Sequence, residues 1–228
     1  MTTTDAATCP GIARAFTLDP LPSAIRVLAV TARPGQESTD LGGLVYAFRR
    51  SGASLSLLCL TRGEAATLNS GTARLEAVRP WEVQLAAGIL GIRQVAVASY
   101  RDGRLHQYET SELAGPIQQA MCEYLPDLVL VVAAETGDIA DAAAARAATA
   151  AALQAGIPVA ARTRPGVSGA WMLDLGTDAE TARAVQKSAA AAHASQSEAL
   201  PELIDRLGSM ETVRWLVSPA SVPAQRVR

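Results

Sequence analysis

Residues 31–43, TARPGQESTDLGG, follow the apolar run Ile25–Val30 and carry glycines where a strand would turn into a helix. The stretch has neither the G-x-G-x-x-G spacing of a dinucleotide cradle nor the G-x-x-x-x-G-K-[ST] spacing of a phosphate loop. Outward from it the same alternation repeats. Apolar runs of strand length recur at Ser54–Leu60, Gln94–Ala98, Leu128–Ala133 and Ile157–Ala160, each bounded by Gly, Pro or polar turn residues. Segments of helical length fill the gaps at Thr39–Ser51, Leu75–Leu90, Ser111–Tyr124 and Ile139–Ala155, and Asp178–His193 follows an antiparallel piece around Trp171–Leu175. Asp138 and either Thr110 or Ser111 stand where helix N-caps are expected. Strands alternating with helices imply an α/β, Rossmann-like, three-layer fold with a mainly parallel central sheet.

Composition excludes several function classes. With 49% apolar residues, 228 residues can bury a sizeable core without disulfides or a structural metal. The net charge is −2 and Lys187 is the single lysine, so no basic stripe tracks a phosphate backbone and nucleic acid is not an expected partner. Cys9, Cys59 and Cys122 are odd in number, far apart and without a C-x-x-C, which suits reduced thiols and a cytoplasmic setting and excludes a zinc ribbon. Residues 1–24 hold three prolines and no basic start or continuous apolar core, so they read as an N-terminal extension ahead of a single α/β domain, 25–228. The alanine-rich window Ala142–Ala152 is too short to span a bilayer and reads as a buried or half-buried helix, so no membrane is expected. High apolarity with few covering charges implies a homo-oligomer.

In a doubly wound sheet, ligands bind beyond the carboxyl ends of the strands where strand order reverses. With the first strand central and the fourth beside it, the crevice is lined by Arg33–Glu37 and Glu135–Asp141, flanked by Thr61–Glu64 and Tyr100–Asp102. These loops concentrate charge in an alanine-rich chain. Solvated turns would account for part of that polarity; a small-molecule site accounts for its convergence. The crevice candidates are Arg33, Glu37, Asp138 and Asp141, with Arg62, Glu64, Arg101, Asp102 and His193 as candidates for holding a ligand.

Several segments together resemble the LmbE-like family of N-deacetylases, which also contains the deacetylases of N-acetylglucosaminyl-phosphatidylinositol. Ala32-Arg33-Pro34-Gly35-Gln36-Glu37, then Gly42-Gly43, is similar to its A-H-P-D-D-E and G-G; LTRGE at Leu60–Glu64, Arg79-Pro80-Trp81-Glu82 before LGI, YRDG at Tyr100–Gly103, KSAAAAHASQ at Lys187–Gln196 and ETVRWL from Glu211 follow in the family's order. The resemblance covers Ile25 to Val217. It implies the deacetylase fold and a catalytic zinc held by the histidine and second aspartate of the first motif and by a histidine after the fourth strand, with the first aspartate activating water. Here those positions are Arg33, Gln36, Asp141 and Gly35, and Asp138 stands at a further histidine of the GDIAD segment, Gly137–Asp141.

Zinc catalysis needs three N, O or S ligands plus a water. Arg33 stays protonated and cannot donate a lone pair, and of the substituted positions only Asp141 is a good ligand, so no metal and no cofactor is expected. Arg33 would instead form a salt bridge to Glu37, Asp138 or Asp141 and tie the first and fourth loops together; Asp138 is the weaker acceptor because it can be occupied as an N-cap. Drift of these side chains into water is the competing reading. Three functions follow: a metal-free binding or regulatory protein, a hydrolase using a relocated all-oxygen metal set of Glu37, Asp138 and Asp141, or a different enzyme in which Arg33 holds an anionic group. Elsewhere, Cys59 reads as a buried hydrophobe, His106 as a surface residue, Trp81 and Trp171 as core, and Ser195 and His193 as too poorly placed to act as nucleophile and base.

Overall fold

The computed structural model describes residues 20–65, 75–196, 204, 205 and 207–221. Seven strands, β1 (Arg26–Thr31), β2 (Ser54–Thr61), β3 (Gln94–Tyr100), β4 (Leu128–Val132), β5 (Val159–Arg162), β6 (Ala170–Asp174) and β7 (Met210–Val217), form one sheet in the order β3-β2-β1-β4-β5-β7-β6. Strands β1 to β5 pair in parallel, while β7 lies antiparallel between β5 and β6. The first strand is central, with Ala29 opposite Leu57 on one side and Leu130 on the other.

Both faces of the sheet centre are buried, which is why β1 and β4 are near-continuous apolar runs rather than alternating ones. Leu28 and Val30 of β1 face a core shared with α4 (Thr110–Tyr124) and α5 (Ile139–Ala155). Val27 and Ala29 face the opposite core, under α2 (Gly42–Arg50), α3 (Leu75–Leu90) and α6 (Ala179–Ala191). Ala144, Ala147, Ala148 and Ala151 bury one side of α5, where side chains without bulk let the helix approach the strands closely. No helix among the described residues is long and apolar enough to cross a membrane.

Three details differ from the sequence reading. The segment expected as one helix over Thr39–Ser51 is two: α1 (Gln36–Thr39) ends as the Gln36 carbonyl accepts from both Asp40 and Leu41 N–H, and α2 starts afresh at Gly42. The glycine pair follows from packing, since a Cβ on Gly42 would lie 2.6 Å from Cγ of Gln186 on α6, and one on Gly43 would collide with Glu211 of β7. Neither Thr110 nor Ser111 caps α4; Glu109 occupies that position without a side-chain cap bond. Trp81 is 74% exposed rather than core, because α3 turns Arg79 and Glu82 inward instead. Trp171 is buried and stacks obliquely near Trp215. Of the expected N-terminal extension, residues 1–19 lie outside the described residues, while Leu21 and Ala24 pack against the second core.

Candidate functional site

The loop leaving β1 turns through Gly35, whose φ of 97° is left-handed. That turn sends Gln36 inward, where it is 4% exposed. Its Oε1 accepts from the backbone N–H of Ala32 at 3.0 Å and of Arg33 at 3.2 Å, and its Nε2 donates to Oδ1 of Asp141 at 2.6 Å. The reverse amide orientation would set carbonyl oxygen against carboxylate, so the network fixes which end is which. Arg33 runs beside it, and its Nη2 donates to Oδ2 of Asp138 at 2.6 Å. Asp138 serves two partners at once: Oδ1 caps α5 by accepting from Ala140 N–H at 2.7 Å, leaving Oδ2 for the guanidinium. Asp138 caps the helix as expected, yet capping does not weaken it as the acceptor for Arg33, since the two carboxylate oxygens divide the work. Burial opposes the charge on Arg33, but the bond and charge of Asp138, with Asp141 and Asp102 nearby, outweigh it and raise its pKa. For Asp138 burial likewise acts upward, yet the Arg33 bond and the Ala140 N–H hold the carboxyl below its ordinary value.

Glu37, one of the three acceptors offered for Arg33, does not reach it; Asp138 takes that part. Fully buried, Glu37 accepts from His193 Nε2 at 2.5 Å, from the Ser38 hydroxyl at 2.9 Å and from Gly35 N–H at 2.9 Å. His193, in the turn after α6, is itself 2% exposed, so it braces the first loop from behind rather than facing a ligand. Nδ1 of His193 lies 3.4 Å from Gln196 Nε2, which also donates to the Pro34 carbonyl at 3.1 Å. With Nδ1 as acceptor, the ring proton belongs on Nε2, directed at Glu37.

A second brace comes from α3. Glu82 accepts from Ser195 N–H and hydroxyl, both at 2.6 Å, while Arg79 donates from Nε to the Ser195 hydroxyl at 3.2 Å and from Nη1 to the Gly63 carbonyl. Burial lowers the pKa of Arg79, offset in part by Glu82, Asp102 and Glu64. Arg79, Glu82, Ser195 and Gln196 stand within the motifs but carry no part in the site by sequence, and Gln36, within the crevice-lining stretch Arg33–Glu37, carries no bonding role there. The recurrence of R-x-x-E with a later S-Q was the available signal, and the contacts that reveal it span 113 positions.

Between these braces lies a cleft of about 280 Å³ lined by Arg33, Gln36, Asp40, Arg79, Asp102 and Gln196 among others. Asp102 and Glu64 clasp the second and third loops: Glu64 Oε1 accepts from Asp102 N–H at 2.9 Å, and Asp102 Oδ2 from Ala65 N–H at 3.3 Å. Arg62 lies elsewhere, in a depression with Trp81 and Val97, and Arg101 is exposed outside the cleft lining. Cys59 is buried in β2 with its thiol pushed up to about 12 by burial, and His106 is exposed.

A model of the PIG-L family, GlcNAc-PI de-N-acetylase, matches residues 28–153, more than half of the chain. The chain belongs to this deacetylase family. A Bacillus anthracis protein described as "Probable N-acetyl-alpha-D-glucosaminyl L-malate deacetylase 2" is 35% identical over 109 residues, which are 46% of this chain and 48% of that protein, so the match spans about half the relative's length. Among solved structures, the N,N'-diacetylchitobiose deacetylase of Pyrococcus horikoshii superposes with a TM-score of 0.67 at 18% identity, over 87% of this chain and 86% of its own. The 4-carboxy-2-hydroxymuconate hydratase of Pseudomonas putida KT2440 superposes with a TM-score of 0.65 at 18% identity, over 85% and 96%. The fold is thus common to a deacetylase and a hydratase, and chemistry has to be argued from the site.

The zinc that the family resemblance implies does not fit the residues present. At its expected positions a guanidinium and a carboxamide NH₂ direct protons at Asp138 and Asp141, and Gly35 supplies no base. The relocated carboxylate set also fails to assemble, since Glu37 turns away to His193. Among the described residues no three His, Cys, Asp or Glu side chains are grouped to hold a metal.

Proposed function

We propose that this PIG-L family member binds a small polar ligand in the β1/β4 cleft without metal-dependent hydrolysis of an N-acetyl group. The observation that carries the reading is the paired cross-link, Arg33 to Asp138 and Gln36 to Asp141, spanning the two loops where the implied metal would sit. A charge-assisted bond and a buried amide bond can fix the same two loops that a coordination shell would fix. The cleft stays open beside them. Its volume of about 280 Å³ is just under that of ligand pockets, which run from about 300 Å³ upward, so it suits nothing larger than a single sugar-sized group. Arg33 has further N–H groups with no acceptor among the described residues, and its side chain is 38% exposed, so it favours a ligand carrying an oxygen acceptor or an acidic substituent. The name of the Bacillus relative, a deacetylase of a glucosaminyl malate, points to the same class: a sugar conjugate with a carboxylate.

The test combines three measurements on the full chain. Protein purified without chelator or affinity tag is expected to contain no stoichiometric metal, and incubation with N-acetylglucosamine conjugates and added zinc should release no acetate above a metal-only control. The same conjugates should raise the melting temperature, and Arg33→Ala should abolish that shift. Stoichiometric zinc accompanied by turnover that Asp141→Asn removes would overturn the proposal in favour of a hydrolase.

A further inference from the structure

The β1/β4 cleft has room for one sugar-sized group, so the rest of any conjugate must lie outside it, and the chain places a second hollow next to its wall. Gly63 and Arg79 line the cleft, and their immediate neighbours in the chain, Arg62 and Pro80, line a depression of about 510 Å³. The two hollows thus share a wall made by the turn after β2 and the first turns of α3. The volume of the second is within the range of ligand sites, about 300–1,000 Å³.

Its lining mixes an aromatic platform with unpaired polar groups. Trp81 stands 74% exposed, with Pro80 and Val97 beside it, and the exposed side chains of Arg62, Glu76 and Gln84 complete the hollow. Trp81 and Gln84 are three positions apart on α3, so the carboxamide stands next to the indole on one helix face. Arg62 and Glu76 bring opposite charges into the same hollow without forming a salt bridge, and neither they nor Gln84 have a hydrogen-bond partner among the described residues. A purely apolar occupant would cover that guanidinium and that carboxylate without satisfying either. A pyranose satisfies both. Its C–H groups give it an apolar face to lay on an indole, and its hydroxyls each donate and accept, so they can answer a cation, an anion and an amide around one ring.

We propose that this depression is a second sugar subsite: a conjugate whose first pyranose occupies the cleft lays its next pyranose on Trp81, with Arg62, Glu76 and Gln84 bonding its hydroxyls. The inference rests on the cleft as the seat of the first unit, and the ligand class it adds is a glycoside of at least two rings.

Calorimetric titration and tryptophan fluorescence on the full chain, with N-acetylglucosamine and N,N'-diacetylchitobiose as probes, test it. The disaccharide should bind at least about tenfold more tightly than the monosaccharide, the scale of one stacked ring with one or two hydrogen bonds, and should shift tryptophan emission to the blue. Trp81→Ala should reduce the disaccharide to the monosaccharide's affinity and abolish the emission shift. The far-ultraviolet circular dichroism spectrum and the monosaccharide's affinity should not change, because the side chain is exposed and outside the cleft. Arg62→Ala with Glu76→Gln should take away about threefold or more of the gain. Equal affinity for the two sugars, with the monosaccharide still lost in Arg33→Ala, would overturn the second subsite and leave the cleft reading intact. Disaccharide binding that needs Trp81 but is indifferent to Arg33→Ala would instead keep the sugar platform and overturn the cleft reading. A dimer that Trp81→Glu dissociates and that neither sugar affects would assign the indole to a second copy of the chain and overturn the proposal.

Discussion

Asp138 bonds α5 with one carboxylate oxygen and Arg33 with the other, and substitution can separate the two roles. Asp138→Ala removes both, Asp138→Ser keeps a capping oxygen and loses the bridge, and Arg33→Ala loses only the bridge. The cap is worth about 1 kcal/mol. The bridge joins side chains 38% and 32% exposed, so solvent screening holds it to about 0.5–1 kcal/mol. Asp138→Ser and Arg33→Ala should therefore each cost about 0.5–1 kcal/mol and Asp138→Ala about 1.5–2 kcal/mol, or roughly 1–4 °C and 3–8 °C in Tm for a chain of this size. The folded carboxyl titrates below its unfolded value, so the native state binds protons less readily and the stabilisation is present above about pH 4, the unfolded value. It is lost as pH falls through the folded value. The gap between wild type and Asp138→Ala should hold steady from about pH 5 to 8 and narrow below about pH 4. Urea unfolding of the two single variants and Arg33→Ala/Asp138→Ser forms the assay. Costs that simply add in the double variant would show that the bridge carries no coupling and refute the idea that it ties the loops.

Gly35→Asp, the change that would return a base to the first motif, should cost about 1–3 kcal/mol, because φ is 97° and the new Cβ would lie 2.9 Å from Oε1 of Gln196; chemical denaturation of the variant, with and without Gln196→Ala, measures the strain and its relief. Gln36→Glu sets a second carboxylate against Asp141 where an amide donated at 2.6 Å, so stability should fall by about 2–3 kcal/mol near neutrality and recover on acidification as one group protonates; a pH series of melting temperatures checks both halves.

The central strands were legible because a strand buried on both faces is apolar nearly throughout, and Leu128–Val132 or Val27–Val30 announce themselves that way. The break between α1 and α2 was not. Gln36, Glu37 and Ser38 are polar and look solvated, yet their partners are Asp141 and His193, more than a hundred positions distant, and no local pattern records such bonds. The Arg33 bridge was expected from charge alone, while its choice of Asp138 depended on how one carboxylate shares two oxygens. Trp81 misled for a related reason: hydrophobicity normally marks the inner side of a helix, but on α3 the inner side holds Arg79 and Glu82, hydrogen-bonded to Gly63 and Ser195, next to Val83, Ala86 and Ala87.

The placement of β7 between β5 and β6 governs the order in which the chain can complete itself. During synthesis β5 and β6 both emerge before the strand that joins them, so each keeps an unpaired backbone edge until residues 210–217 arrive. The segment carrying His193, Ser195 and Gln196 is likewise late, and without it neither Glu37 nor Glu82 has its buried partner. A nascent or truncated chain thus presents open strand edges and uncompensated carboxylates together, a state prone to aggregation and a natural client for chaperones.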